Sequence, residues 1–386
     1  MTSKKYVYIV NVTRQLSIDM INYFHSKGAD IHLITGTLEV NYAPLNPAVK
    51  VTYLIKYNNS SALKRVCTWV LFTVQSFFYL LFINRKKELI IITSPPFIVF
   101  LGLFFKKIRN QKYHLIIWDL YPDALINFKV LKEKSFIIKF WKKLNKKCFN
   151  HAQNIFTLGK HLSEAIEKYT YKKPIIIENW VDTDFIKPMP KSENSFVAKY
   201  KLENKLIVMY SGNLGVTHDI ESIVTTADIL KNNTNIYFLI IGDGAKKTRI
   251  SQMVKEKNLN NILLLPYQEK EVLPFSLSSA DIGIVTLGEG AESISVPSKT
   301  YYTLAAGSAI IALASLKSEL AIIIEKYQCG KIFDKPDCNS IADFIIQLSK
   351  NNAELESFKK NSRKASFDFT PINASLFYKA INAAVD

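Results

Sequence analysis

A chain of 386 residues, 48% of them apolar, exceeds what one hydrophobic core usually organises, so two domains with sizeable cores are expected. With 50 Lys and Arg against 33 Asp and Glu, the net charge is +17, and the partners should be anionic: nucleic acid, phospholipid headgroups or phosphorylated sugars. Four cysteines form no CxxC pair and no metal-like spacing with the six histidines, which argues against a metal centre and for a reduced, cytosolic setting.

Met1 to Val10 has two lysines but no long apolar core and no small-residue cleavage site, so no signal peptide is expected. Tyr6 to Val12 reads as a first strand. Ile31 to Thr35, Leu89 to Thr93, His114 to Trp118, Asn154 to Leu158 and Pro174 to Ile177 follow as short branched runs bounded by polar or turn residues. Between the second and third of these runs, Val66 to Ile83 is eighteen residues without a charge. That length permits a transmembrane span, a helix lying in the membrane interface, or a buried core helix. Lys64-Arg65 before it and Arg85-Lys86-Lys87 after it give no charge asymmetry. A single span would also put the strands on either side of it across the membrane from each other. Pro95 to Phe105 is a further apolar run.

Phe136, Phe140, Leu144 and Cys148 recur every four residues with Ile137 and Trp141 beside them, while Lys139, Lys142, Lys143, Lys146 and Lys147 fall largely on the other face. Such a basic amphipathic helix packs either on a sheet with a solvated lysine face or on a membrane surface. Between Lys106 and Lys147 twelve Lys or Arg stand against Asp119, Asp123 and Glu133, beside the most apolar part of the chain. That pairing favours a membrane surface over nucleic acid.

The polar, proline-bearing stretch Asp182 to Asn204 reads as a boundary. After it, strand-like runs at Leu206 to Ser211, Ile236 to Gly242, Ile262 to Leu265, Ile282 to Thr286 and Ala309 to Ala314 alternate with helical segments at Ile220 to Lys231, Ala245 to Lys257 and Lys270 to Ser278. The alternation predicts an α/β chain with two doubly wound, Rossmann-like domains facing across a cleft, and ligands bind at the carboxyl ends of strands in such sheets. The expected domains are 1–185, 186–370, and a closing helix over 371–386 that packs back on the first.

The loops after the strands of the second half carry the candidate chemistry. Gly212, Asn213 and Gly215 follow the first strand, with Thr217 or Asp219 available to cap the next helix. Gly242 and Gly244 follow the second, with Lys246 and Lys247 behind them, and Pro266-Tyr267 end the third. The fourth leads through Gly288 and Gly290 to Ser295-Val296-Pro297-Ser298-Lys299, where a helix begins. Free N–H groups and a lysine at a helix start favour phosphate, although each of these segments also suits an ordinary turn. Asp119, just after a buried strand, suits orienting or deprotonating a hydroxyl, and His218 lies at the start of a helix; the same positions suit capping.

Taken in order, Tyr-Ser-Gly-Asn-Leu-Gly (210–215), Ile-Gly-Asp-Gly (241–244), Pro-Tyr (266–267), Ser-Ala-Asp-Ile-Gly-Ile-Val (279–285) and Val-Pro-Ser-Lys-Thr-Tyr with Leu-Ala-Ala-Gly resemble the retaining glycosyltransferases of family 4, or group 1, which have the GT-B fold. Asp119-Leu120-Tyr121-Pro122-Asp123, Phe156-Thr157-Leu158-Gly159 and Glu178-Asn179-Trp180-Val181-Asp182 extend the resemblance over most of the chain. It is most similar to fucosaminyl- and colanic-acid-type transferases of bacterial surface polysaccharide and lipopolysaccharide assembly. The resemblance implies transfer of an amino or deoxy sugar from a nucleotide-sugar to a lipid-linked or saccharide acceptor, with retention. It implies no metal and no cofactor beyond that co-substrate. The donor would be held by Gly212, Asn213, Gly215, Gly242, Gly244, Lys247, Pro266, Tyr267, Gly290, Ser295, Val296, Pro297, Ser298, Lys299 and Tyr302, with Asp119 and His218 as catalytic residues. The expected place is cytoplasmic, peripheral on the inner face of the cell membrane. Two departures stand out. Tyr302 and Ile294 occupy positions where many members carry paired glutamates, and the Arg and Lys that often follow the first glycine loop are absent, with Asn213 and Asp219 nearby. A nucleotide-sugar 2-epimerase on the same architecture, or an inactive paralogue serving as an assembly protein, are the alternatives.

Overall fold

Each half of the chain builds its own parallel sheet in the computed structural model, which describes residues 4–288, 297–334 and 337–383. The chain divides into one unit formed by residues 1–179 with 371–386, and a second formed by 180–370. In the first unit the strands are β1 (Lys5–Ile9), β2 (Val12–Thr13), β3 (Asp30–Thr35), β4 (Thr37–Leu38), β5 (Lys50–Tyr53), β6 (Glu88–Ile92), β7 (Tyr113–Ile117), β8 (Ile155–Thr157) and β9 (Ile175–Ile176). Their order is β5-β3-β1-β6-β7-β8-β9, with β2 and β4 forming a separate pair. Val7, Ile9, Leu89, Ile91, Leu115 and Ile117 on one face and Tyr8, Ile90 and Ile116 on the other are buried, as expected of strands covered on both faces. The helix Ala374–Asn382 belongs to this unit: Tyr378 packs edge-on at 5.0 Å against Phe24, and Tyr6 donates a 3.0 Å hydrogen bond to the Asn382 side chain.

In the second unit β10 (Leu206–Ser211), β11 (Ile236–Ile241), β12 (Ile262–Leu265), β13 (Ile282–Thr286), β14 (Ala309–Leu313) and β15 (Gly330–Phe333) lie in the order β12-β11-β10-β13-β14-β15. Val208 sits opposite both Phe238 of β11 and Ile282 of β13. The chain therefore leaves β10 on one side and returns on the other, so the carboxyl ends of β10 and β13 flank the switch point at which open α/β sheets bind ligands. Strands β5 and β15 lie at sheet edges outside the sequence expectation. Both are short, and neither presents an apolar run that marks it.

The uncharged segment forms the helix Ala62–Leu81. Only Thr68, Phe72, Ser76 and Leu80 are buried, a stripe repeating every four residues that seats one face on the sheet. Leu63, Val70, Val74 and Phe78 stay exposed, so the helix is no core helix. Among the described residues no helix is long and apolar enough to cross a membrane. The basic helix Phe136–His151 buries Ile138, Trp141, Asn145, Cys148 and Phe149 and leaves Phe136 82% and Phe140 54% exposed, so the face read as apolar is only partly covered.

Candidate functional site

The loops after β10 and β11 meet backbone to backbone. Gly212 N–H donates to the carbonyl of Ile241 at 2.9 Å, Leu214 N–H to that of Asp243 at 2.8 Å, and Lys246 N–H to that of Leu214 at 2.9 Å. A Cβ on Gly242 would lie 1.9 Å from the Gly212 carbonyl oxygen, and one on Gly244 2.6 Å from the Leu214 backbone. Both glycines have φ of +153°, where a side chain is strained, so the approach of the loops requires glycine twice over. Asn213 is exposed at the turn, and Gly215 lies beside its amide.

Lys299 opens the helix Lys299–Ala306 and reaches back 89 residues in sequence to this junction. Its Nζ donates to the Tyr210 hydroxyl at 2.7 Å and lies 4.1 Å from the centre of the Tyr210 ring. A Cβ on Gly212 would meet the same Nζ at 3.2 Å. The Tyr210 hydroxyl in turn donates to the carbonyl of Asn213 at 2.7 Å. Burial, with no carboxylate partner among the described residues, pushes the Lys299 ammonium down to about 7. Pro297 accepts from Thr300 N–H at 3.0 Å, and Ser298 is exposed at the helix start with no capping bond from its side chain. The junction thus offers a cation and a helix N-terminus beside backbone that only glycine permits, a combination suited to a diphosphate.

His218 follows the first loop and sits against β13, its Nδ1 3.2 Å from the Thr286 hydroxyl. Burial, helped by Lys299, lowers its imidazole to about 4, so it is neutral near pH 7. Asp219 is the residue that caps: its carboxylate accepts from Ser222 N–H at 3.1 Å and from the Ser222 hydroxyl at 2.6 Å. The two lysines after the second loop part ways. Lys246 donates to the His218 carbonyl at 2.6 Å and pairs with Glu221 at 2.8 Å. Lys247 pairs with Asp243 at 2.7 Å on the surface, from where its ammonium can be withdrawn at little cost. Tyr267, after Pro266 at the end of β12, is 55% exposed, and Tyr302 is half-buried in the Lys299 helix. Gly290, Ser295 and Val296 lie outside the described residues.

In the first unit Asp119 follows β7, with its N–H 3.5 Å from the Thr93 hydroxyl. Its surface is open, yet the protein atoms around it desolvate the carboxyl and raise it above the usual range. No hydrogen bond or ion pair holds that carboxylate among the described residues. Asp123 is instead occupied by the hydroxyl of Tyr169. A small cavity touches Asp119, Thr93, Tyr121 and Asn145. The aromatic side chains beside it escaped the sequence reading. Tyr121 stacks on Trp141 at 6.3 Å and meets Trp69 edge-on at 6.0 Å, and residues so far apart in sequence carry no local signal.

Residues 191–365 match the family model for glycosyl transferases group 1. The probable glycosyltransferase WbjE of Pseudomonas aeruginosa is 27% identical over 262 residues, 66% of this chain and 64% of that protein. The putative colanic acid biosynthesis glycosyl transferase WcaI of Escherichia coli strain K12 is 27% identical over 275 residues, 69% of this chain and 67% of its own length. The chain thus matches about two-thirds of the length of each curated relative. Among solved structures, sucrose-phosphate synthase from Thermosynechococcus elongatus has a TM-score of 0.75 at 15% identity, covering 99% of this chain and 100% of that one. The Anabaena protein HepE, in complex with UDP and glucose, has a TM-score of 0.73 at 10% identity, covering 98% and 100%. WaaG, a glycosyltransferase involved in lipopolysaccharide biosynthesis, has 0.72 at 10%, also covering 98% and 100%. At those identities the likeness concerns fold. Residues 191–365 thus carry a glycosyl transferases group 1 domain, and the chain as a whole, with its two Rossmann-like halves, shares the fold of GT-B neighbours over nearly its whole length.

Proposed function

We propose that the protein moves a sugar, with retention, from a nucleoside diphosphate sugar held by the 180–370 unit to a lipid-linked or saccharide acceptor in bacterial surface polysaccharide assembly. The observation that carries this is the Lys299 ammonium lying over Tyr210 and Gly212 beside interlocked glycine loops. As the anomeric bond breaks, negative charge builds on the leaving diphosphate. Lys299, the first turn of its helix and loop N–H groups are arranged to meet that charge, which lowers the barrier more than it stabilises the bound donor. Neutral His218, anchored on Thr286, presents a ring nitrogen for hydrogen bonding without adding charge. In this reading Asp119, whose carboxylate has no hydrogen bond or ion pair among the described residues, orients the acceptor hydroxyl, whose proton passes to the departing diphosphate on the same face of the sugar.

The comparisons support the donor class through the UDP complex of a structural neighbour, and the polysaccharide setting through the names of WcaI and WaaG. The exposed Leu63, Phe78, Phe136 and Phe140 beside a lysine-rich helix support docking on the cytoplasmic face of an anionic membrane, where lipid-linked acceptors are met. The positive charge at the junction makes the reaction metal-independent in this reading. The test is transfer of a mass-tagged sugar from a panel of nucleotide-sugars into lipid extracts or membranes, with and without chelator. Tagged product with an acceptor supports the reading. A tagged epimer formed without an acceptor, or no turnover with any donor that binds, overturns it.

A further inference from the structure

A cavity of about 800 Å³ opens in the second unit at the amino ends of β13 and β14, opposite the ends that carry the glycine loops. It touches Asp281, which precedes β13, and Gly307, which precedes β14. The five residues of β13 separate it from Thr286 and His218 by roughly 17 Å at the usual rise per residue. A single ligand bound there would not occupy the donor junction.

The apolar part of the lining comes from Pro188, Met189, Pro190, Ala280, Ala306 and Phe367, the last 55% exposed. Around them stand five cations, Lys191, Lys359, Lys360, Arg363 and Lys364, against two carboxylates, Asp281 and Glu356, an excess of three positive charges. Both carboxylates are already answered. Asp281 takes Lys191 at 2.5 Å and Lys359 at 3.7 Å, and Glu356 takes Lys359 at 2.7 Å. Arg363 is fixed in place, donating to the carbonyls of Thr183, Ile186 and Ala305 at 3.0 to 3.2 Å with its guanidinium 4.6 Å over the Phe367 ring. The ammonium groups of Lys360 and Lys364 have no ion pair or hydrogen bond among the described residues. They stand one turn apart on the helix Asn352–Ser366, a spacing at which like charges repel.

A concave apolar floor with a half-open phenyl ring, rimmed by uncompensated ammonium groups, is the profile of a small-molecule pocket rather than of a solvated helix face. We infer that this cavity is a second ligand site, for a small soluble amphipathic anion. An aromatic or apolar body would lie against the prolines and Phe367, and a phosphate or carboxylate would be taken by Lys360 and Lys364. The site is independent of the proposed transfer reaction.

The test uses 1-naphthyl phosphate and 1-naphthoate as probes, titrated into the full-length protein by calorimetry, with 1-naphthol and inorganic phosphate as half-ligands. One saturable site is expected for at least one naphthyl anion, and the better anion names the head group. Each half-ligand should bind about tenfold more weakly or worse, because only the whole probe meets both floor and rim. The double variant Lys360→Glu, Lys364→Glu should weaken binding by about tenfold or more, and Phe367→Ala by several-fold, while a saturating nucleoside diphosphate leaves the affinity unchanged. Both lysines are exposed and have no ion pair among the described residues, so the double variant should fold, as its melting temperature and nucleotide binding will show. Absence of a saturable site, equal affinity in the charge-reversed variant, or displacement by the nucleoside diphosphate would overturn the inference.

Discussion

Replacing Lys299 with methionine keeps the length of the side chain and removes its charge, and two opposite effects should follow. In the free protein the ammonium is buried and, among the described residues, has the Tyr210 hydroxyl and ring as its partners, and its pKa of about 7 lies well below the ordinary lysine value. Between pH 7 and 10.5 the unfolded chain holds a proton that the folded one releases, so stability rises with pH across that window. The penalty is full below pH 7 and gone above 10.5. Its upper bound is the whole shift, and relaxation around the side chain reduces it to about 2–4 kcal/mol. Lys299→Met should therefore be more stable than the wild type at pH 6, by roughly 2–4 °C of melting temperature per kcal/mol, with the gain fading towards pH 10. Donor binding should move the other way. Loss of a charge-assisted contact to the diphosphate weakens affinity by about 1.5–3 kcal/mol, roughly 10- to 150-fold. In the wild type the affinity should also fall towards tenfold per pH unit above 7, because the lysine must be protonated to bind, whereas the variant should be flat. A nucleotide-sugar is the right ligand for this titration, since its diphosphate diester has no ionisation near neutral pH. Thermal melts and calorimetry at pH 6, 7, 8 and 9 give both halves of the result. A variant no more stable at pH 6, or one that binds the donor as tightly as the wild type, would refute the reasoning.

Gly242→Ala forces a Cβ to within 1.9 Å of the Gly212 oxygen at a φ of +153°, and should lower stability by about 2–4 kcal/mol while abolishing donor binding, readable in melts with and without nucleotide-sugar. His218, lowered to about 4, should show no imidazole titration between pH 5.5 and 8 by NMR; a midpoint near 6.5 would contradict its burial against Thr286. Asp119→Asn should leave nucleotide affinity within about twofold and reduce kcat by about a hundredfold or more, as expected for a group acting on the acceptor alone. Phe136→Ser with Phe140→Ser removes two exposed rings and should cut flotation with anionic vesicles about tenfold without changing the melting temperature, since neither ring is in the core.

Much of the second unit could be read directly from its residues. Strands β10, β12 and β13 coincide with the apolar runs at Leu206–Ser211, Ile262–Leu265 and Ile282–Thr286, because branched runs closed by glycine or proline are local signals. The glycines at 212, 242 and 244 were legible for the same reason, since a tight turn writes itself into adjacent residues. What each side chain touches was not legible. That Lys299 crosses to Tyr210, that Asp219 caps while His218 meets Thr286, and that Asp123 is taken by Tyr169 while Asp119 has no partner among the described residues all depend on residues 46 to 89 positions apart or on the choice between neighbours. The eighteen-residue apolar run shows the same division. Composition determined that it would be a helix with an apolar surface, but only packing on the sheet decided that one stripe, Thr68, Phe72, Ser76 and Leu80, would be covered and the rest left to solvent or a partner. Local propensity and periodicity settle which elements form, because they act within a few residues. Which faces are buried and which polar groups remain unanswered is decided by distant segments competing for the same space, and that competition exists only in the folded chain.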